Sequence, residues 1–191
     1  TTLFRSSLRY LLPAELISEA ELVMQEALPN VEKIHSCRAM GFIIKGLYYR
    51  NSKDRREQDI LLVRKMANRL VQMYRHEQTN EWRWFESYLT YANSIMPEAL
   101  LLAGLLTGEA TYKDIARTAF DFLLANIFTQ NRIKVISNKG WLYKDQFPGV
   151  AVTGGEQPID VAYTILALKQ FDKFFNNGVY SDKIRTAFNW F

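Results

Sequence analysis

The chain has 191 residues, of which 48% are apolar and 23% are charged, and its formal net charge is +4. This composition is typical of a globular domain that is long enough to bury a core, and no run of 18 apolar residues indicates a membrane-spanning helix. Lysine and arginine are scattered along the chain apart from KDRRE at 53–57, so we expect neither a nucleic acid nor a membrane among its partners.

Helical patterns dominate the first half of the chain. The first predicted helix covers residues 12–30, with Pro13 at its start and Pro29-Asn30 at its end. Two more helices are predicted over residues 31–51 and 54–77. The third is the most clearly amphipathic, because apolar residues recur at helical spacing. Its apolar stripe consists of Leu62, Met66, Ala67, Leu70, Met73 and Tyr74.

Buried and amphipathic helices alternate in the second half. The segment from Ser94 to Thr107, which Gly108 ends, is apolar on every side, and this predicts a helix that is buried all round. An amphipathic helix is predicted over 112–128, an apolar one over 158–175 and a more polar one over 180–191. This order predicts hairpins in which an inner helix is enclosed and an outer helix faces solvent.

An internal repeat supports the hairpin interpretation. YKDIARTAFDFL at 112–123 aligns without gaps with YSDKIRTAFNWF at 180–191, and six of the twelve columns are identical. We therefore predict an all-α fold, an array of α/α hairpins in one domain over residues 1–191. An open solenoid and a closed toroid both fit this pattern. About seven or eight helices are predicted, fewer than the twelve of a six-hairpin toroid, and the chain ends inside the last one. We therefore expect an incomplete (α/α)6 toroid that is truncated at its C-terminus.

Two long loops, 78–93 and 129–158, lead into the apolar helices. Because both loops precede inner helices of the repeat, we expect them to open at the same end of the array. The second loop also contains a predicted β-hairpin, in which RIKVIS pairs with GWLYKD around residues 138–140. A connection of this length in a compact domain is usually functional.

Both loops carry side chains suited to binding a saccharide. Flat aromatic rings can stack on the C–H faces of a sugar, and the candidates are Trp82, Trp84, Tyr91 and Trp141. Planar polar groups can bind its hydroxyls, and the candidates are Arg83, Glu86, Asn93, Gln157 and Asp160. The alternative is that the aromatic side chains close the end of the array while the charged side chains pair locally.

Glycoside cleavage by the usual route needs two carboxyl groups. The candidates in these segments are Glu86, Glu98, Glu156 and Asp160. Glu86 lies among aromatic residues and suits a general acid, whereas Asp160, at the start of a predicted helix, suits a general base. Two structural alternatives remain open: Asp160 caps its helix, and Glu86 pairs with a neighbour such as Arg83.

The segment that runs from Glu81 to Leu123 resembles a bacterial family of six-hairpin (α/α)6 toroid proteins, which occur fused to or encoded beside glycosyltransferases. The resemblance rests on Trp84-Phe85-Glu86, Thr90-Tyr91-Ala92-Asn93 and Pro97-Glu98-Ala99-Leu100, and on Gly140-Trp141 followed by EQPID at 156–160. The intervening KDQFPGVAVTGGE lacks the arginines that relatives often carry there. Such chains are sometimes labelled delta-aminolevulinic acid dehydratase, but nothing in this sequence matches the Schiff-base lysine barrel of that enzyme.

The resemblance implies a saccharide-processing or saccharide-binding protein, with glycoside-hydrolase-like chemistry as one option and a glycosyltransferase as a candidate partner. The competing class is a non-catalytic helical scaffold that binds a protein partner. Cys37 is the only cysteine, so neither a disulfide framework nor a thiolate metal site is expected. We therefore expect a cytoplasmic protein that uses no cofactor and no metal.

Overall fold

The computed structural model describes residues 13–52, 54–130, 132–148, 154–175 and 178–191. This part of the chain is all-α apart from one two-stranded sheet, as predicted. The α-helices are α1 (Ile17–Ala27), α2 (Cys37–Asn51), α3 (Glu57–Glu77), α4 (Ile95–Thr107), α5 (Ala110–Ile127), α6 (Pro158–Phe175) and α7 (Ser181–Phe188). The strands are β1 (Tyr88–Leu89) and β2 (Leu142–Tyr143), and short 3₁₀ turns cover Ala14–Leu16, Leu28–Lys33 and Lys144–Gln146.

Several helix boundaries differ from the prediction, including both ends of α1, which covers only Ile17–Ala27 of the predicted 12–30. Helix α2 begins only at Cys37, because Ile34 is extended and Ser36 caps the helix by accepting the Ala39 N–H. At the other end of the chain, α7 ends at Phe188, so the expectation that the last residues are helical was wrong. The boundaries of α4 agree closely with the prediction, because Gly108 adopts φ +80° and terminates the helix.

The helices pack as three consecutive hairpins, α2 with α3, α4 with α5 and α6 with α7. Helix α4 also packs against both α2 and α6, so we call α2, α4 and α6 the inner helices and α3, α5 and α7 the outer helices. Every residue of α4 from Ile95 to Gly104 is buried, which confirms the predicted enclosure for most of the helix, whereas Leu105 in its last turn is 37% exposed. No helix in the described ranges is both long and apolar enough to cross a membrane.

The two long loops are joined by the small sheet. Tyr88 pairs with Tyr143 and Leu89 pairs with Leu142 in an antiparallel register. The predicted hairpin between RIKVIS and GWLYKD was therefore wrong, because GWLYKD finds its partner strand in the loop before α4. Ile133, Val135 and Ile136 of the other half are buried in the core.

Candidate functional site

The N-terminal ends of the three inner helices meet at one end of the array. Arg38, in the first turn of α2, hydrogen-bonds to the turn before α4. Asp160, in the first turn of α6, accepts a hydrogen bond at 2.5 Å from the backbone N–H of Ala92, which lies in the turn before α4. Thr164 of α6 also contacts Ser94, with 3.5 Å between their hydroxyl oxygens. The loops before α4 and α6 therefore lie at the same end, as expected from the sequence.

Arg38 holds the loop before α4 in place. Its Nε donates to the Tyr91 carbonyl at 2.6 Å, and its Nη1 donates to Glu86 Oε2 at 2.6 Å. Its Nη2 donates to Thr90 Oγ1 at 2.5 Å and to Asn93 Oδ1 at 3.2 Å. The Tyr91 ring lies 5.1 Å from the guanidinium carbon. Glu86 therefore has its ion-pair partner in α2, in the residue Arg38, which the sequence interpretation had not considered.

The turn itself is held by Asn93 and Asp160. Asn93 binds Thr90 twice, since its Oδ1 accepts the Thr90 N–H at 3.1 Å and its Nδ2 donates to the Thr90 carbonyl at 2.9 Å. Ala92 adopts φ +49°, a left-handed conformation that is unfavourable for a residue with a Cβ. The hydrogen bond from Ala92 N–H to Asp160 stabilises this conformation. Asp160 therefore positions the turn rather than capping its own helix.

Alternation along the two short strands creates an aromatic face. Leu89 and Leu142 point into the core, where they are 0% and 6% exposed, and Tyr88 and Tyr143 occupy the other face. Trp141, two residues before Tyr143, lies on this outer face as well. The ring centroids of Tyr88, Trp141 and Tyr143 are 5.6 to 6.3 Å apart. We call these three residues the aromatic triangle.

The aromatic triangle is accessible and adjoins Glu86. Trp141 is 41% exposed and Tyr143 is 39% exposed. The Glu86 carboxylate is the largest cause of the raised pKa of Tyr88, and burial adds to it. Glu86 therefore lies close to the Tyr88 phenol and is also held by Arg38. The arrangement combines three rings with a fixed carboxylate at their edge.

Trp82 and Trp84 do not belong to this face, which corrects their assignment as sugar-stacking residues. Trp82 is 1% exposed, with its ring edge-on to Phe122 and Phe147 and its Nε1 donating to the Glu86 carbonyl at 2.8 Å. Trp84 is fully buried, and its Nε1 has no acceptor within the described part of the chain. Neither residue has a ring face that a saccharide can reach, because both fill the core beneath the loop.

The remaining predicted polar residues lie in different surroundings. Arg83 is exposed and lines a separate cleft of about 450 Å³ with Tyr74 and Thr118. Gln157 is half-buried before α6, where its carbonyl accepts the Asp160 N–H at 3.0 Å. Tyr91 is 55% exposed beside Arg38 and remains compatible with ligand contact, whereas Asn93 is buried in the turn.

Glu86 and Asp160, which were predicted to be a catalytic pair, do not lie together on one accessible face. Asp160 is 6% exposed and lines a cavity of about 10 Å³. Such a volume holds about one water molecule, far less than a sugar ring. A general base must come within hydrogen-bond reach of the reacting group, and the Asp160 carboxylate is instead committed to the turn. This corrects its assignment as the base.

The other carboxyl candidates are engaged in structural contacts. Glu98 pairs with Lys45 of α2 at 2.5 Å, and its side chain is 1% exposed. Burial raises the pKa of Glu98, and the Lys45 ammonium opposes this effect. Glu156 accepts a hydrogen bond from Trp190 Nε1 at 2.9 Å. Glu86 is therefore the carboxyl group among the four candidates that adjoins the aromatic triangle.

Three residues of this site were missed by sequence reasoning: Arg38, Tyr88 and Tyr143. Period-two spacing from Glu86 to Tyr88 and from Trp141 to Tyr143 was a usable signal for the two tyrosines. Arg38 and Lys45 stand seven residues apart on α2, which places two cations on one face of a largely apolar helix. Such cations predict buried acceptors, but they do not reveal which loop supplies them.

Cys37 precedes Arg38 at the start of α2 and is not poised for nucleophilic chemistry. It is 1% exposed, and its Sγ donates to Met73 Sδ at 3.4 Å. Burial raises the pKa of the thiol to about 12, with a further contribution from Glu86. Over the residues that the structure describes, no group of three His, Cys, Asp or Glu side chains is arranged to hold a metal ion.

Comparison with family models, with curated proteins and with solved structures found no match to this chain. The resemblance to the toroid family therefore remains an expectation.

Proposed function

We propose that this protein binds a saccharide on the face formed by the aromatic triangle, Glu86 and Tyr91. The observation that carries the proposal is the aromatic triangle, whose three rings lie within 6.3 Å of one another and remain accessible beside a fixed carboxylate. Rings of this kind supply apolar contact area at small cost in side-chain entropy. Glu86 supplies charge-assisted acceptors for sugar hydroxyls.

Binding without cleavage is the version of this function that the geometry favours. Hydrolysis by the usual route needs a second carboxyl group, within roughly 5 to 9.5 Å of the first, that also reaches the substrate. Asp160 is enclosed by the turn before α4, and Glu98 is enclosed by α2. Glu86 alone is able to orient a sugar but does not provide an acid and base pair.

The arrangement of the inner helices is compatible with a ligand site at one end of a toroid. The shared polarity of the inner helices, whose N-terminal ends meet at the site, agrees with an (α/α)6 toroid in which loops at one end surround a ligand. The three hairpins α2–α3, α4–α5 and α6–α7 would then form consecutive parts of such a ring. A glycosyltransferase partner would fit the same substrate class.

Trp141→Ala tests the proposal directly. We expect the wild-type protein to bind at least one member of a panel of neutral, acidic and amino oligosaccharides in isothermal titration calorimetry. Loss of the Trp141 ring should weaken that binding by about tenfold, since stacking contributes about 0.5–1.5 kcal/mol beyond the apolar area that it buries. Trp141 is 41% exposed, so the thermal midpoint should change little.

Phe188→Ala provides the matched control, because Phe188 is 68% exposed on α7, outside the aromatic triangle. Its sugar affinity should equal that of the wild type. Equal affinity of the Trp141 variant, or no binding to any sugar of the panel, would reject the saccharide function. Cleavage of an oligosaccharide by the wild type that disappears in Asp160→Asn would reject binding without hydrolysis.

A further inference from the structure

The outer helices carry one recurring surface pattern. An arginine is followed three residues later by an apolar residue and four residues later by an asparagine or aspartate, and this spacing places all three on one helix face. The sets are Arg64, Ala67 and Asn68 on α3, then Arg117, Phe120 and Asp121 on α5, then Arg185, Phe188 and Asn189 at the end of α7.

The first set is covered by the hairpin that follows it. Tyr112, at the start of α5, donates its hydroxyl to Asn68 Oδ1 at 2.6 Å and is 4% exposed. Arg64 reaches the turn of that hairpin, where it donates to the Thr107 carbonyl at 2.8 Å and to Glu109 at 3.0 Å. A tyrosine and a turn therefore dock on the face of α3.

The second set is covered in the same way. Tyr180, which directly precedes α7, donates its hydroxyl to Asp121 Oδ1 at 3.3 Å. Phe120 is fully buried and stacks on Phe171 of α6 with 4.2 Å between ring centroids. The guanidinium carbon of Arg117 lies 5.0 Å from the ring of Phe175, at the end of α6. The tyrosine contact is thus the same at the two joints, whereas Arg64 binds the turn of the following hairpin and Arg117 lies over a ring at the end of its inner helix.

The third set is uncovered. Phe188 is 68% exposed, although its counterpart Phe120 is fully buried. The side chain of Arg185 is 74% exposed, and Asn189 is exposed as well. The end of α7 is nevertheless held in place, because Trp190 Nε1 donates to Glu156. The same docking chemistry is therefore presented to solvent a third time.

We propose that Arg185, Phe188 and Asn189 form the docking face for a further helical hairpin of the same repeat. Its outer helix begins with a tyrosine whose hydroxyl binds Asn189 Oδ1, and its inner helix carries an aromatic ring that stacks on Phe188. Arg185 contacts its turn. The two hairpins whose outer helices start with a tyrosine, α4–α5 and α6–α7, are already docked within their own chain. A second copy is therefore not the occupant. The proposal is independent of saccharide binding.

An extended chain tests this docking face. The full chain is joined through about 20 Gly and Ser residues, which span about 25 Å, to a second copy of residues 158–191. A Lys183→Arg marker in the appended copy gives the two α7 segments peptides of different mass in hydrogen exchange. We expect the amides of the original α7 to exchange about tenfold more slowly than in the unextended chain, because docking suppresses local opening.

Two variants and one control make the result specific. Phe188→Asp in the original α7 should abolish the protection, and Tyr180→Phe in the appended copy should reduce it. Leu61→Asp, at a residue of α3 that is 66% exposed, should leave the protection unchanged. Equal exchange in the extended and unextended chains would overturn the proposal. So would protection that survives Phe188→Asp, or equal protection in a dimer of the unextended chain identified by light scattering.

Discussion

Arg38 connects α2 to four residues that lie 48 to 55 positions further along the chain. Its side chain is 11% exposed, so these hydrogen bonds are formed with little competition from water. The planar guanidinium matches this task because it presents donors in fixed directions. The arrangement of Glu86 and Tyr91 at the candidate site therefore depends on a residue that need not touch the ligand.

Arg38→Met should destabilise the fold and disorder the site. Removing one member of a largely buried charged network leaves its partners without compensation, and we expect the free energy of unfolding to fall by about 2–3 kcal/mol. Urea titration followed by circular dichroism measures this change. Arg83→Met is the control, since Arg83 is exposed and lines a different cleft. Equal stability of the two variants would contradict the role of Arg38.

Asp160→Asn tests the titration of the buried Asp160 carboxyl group. Burial raises the pKa of Asp160, while the Ala92 N–H and Arg38 act in the opposite direction. Just above the ordinary aspartate pKa, the folded chain therefore binds more protons than the unfolded chain, and this contribution to stability is lost as pH rises through the raised pKa. The amide variant retains an acceptor for Ala92 but does not titrate.

Urea titrations from about pH 3 to about pH 6 measure this effect. The free energy of unfolding of the wild type minus that of Asp160→Asn should decrease as pH rises. An increase over the same range would show that the folded state favours the ionised form.

Helix α2 contacts α4 and the turn before it along one face. Arg38, Gly41 and Lys45 recur at helical spacing, and each meets a different part of the opposing segment. Arg38 binds the turn before α4, Gly41 faces Ile95 and Lys45 pairs with Glu98. The glycine permits the close approach that brings the two cations to their partners.

Gly41→Ala should destabilise this contact. A Cβ at this position would lie 2.8 Å from Ile95 Cγ2, and relieving that overlap costs about 1–3 kcal/mol. The alanine gains up to about 1 kcal/mol in helix propensity, so the overlap prevails and the net loss is about 1 kcal/mol. Ile95→Ala removes the obstructing methyl group. In a double-mutant cycle measured by urea unfolding, the two changes should cost less together than the sum of their separate costs. Additive costs would contradict the close approach.

At the scale of the whole molecule, α4 is the element that joins the hairpins. It packs against α2, α3, α5 and α6, and Leu100 to Ala103 are fully buried. One cluster of buried side chains runs from Met24 of α1 to Ala187 of α7. The free energy that holds the hairpins together is therefore concentrated around α4.

Leu101→Ala should accordingly be among the costly substitutions in the chain. Leu101 is fully buried, and its truncation should lower the free energy of unfolding by about 3 kcal/mol. Leu166→Ala on α6 is the matched control, because Leu166 is 49% exposed and should cost less than about 1 kcal/mol. Similar losses from both variants, measured by urea unfolding, would contradict the central position of α4.

The order of the helices and the burial of most of α4 were predictable from the sequence alone, whereas α6, which was also expected to be enclosed, exposes Ile159 and Leu166. The apolar residues of α4 occur on every side, and Gly108 ends that helix, so both features follow from periodicity and backbone preference within one segment. The repeat between 112–123 and 180–191 likewise identified α5 and α7 as equivalent elements. These properties were predictable because each depends on interactions between residues that are close along the chain.

Which side chains form the site depends on the tertiary packing. Two-residue strands have no pattern of their own, so the pairing of Tyr88 with Tyr143 depends on where α4 and α6 bring their loops. The same packing buries Trp82 and Trp84, leaves Trp141 accessible and gives Glu86 to Arg38 rather than to Arg83. The physical reason is that burial and ion pairing depend on contacts between segments that are distant along the chain.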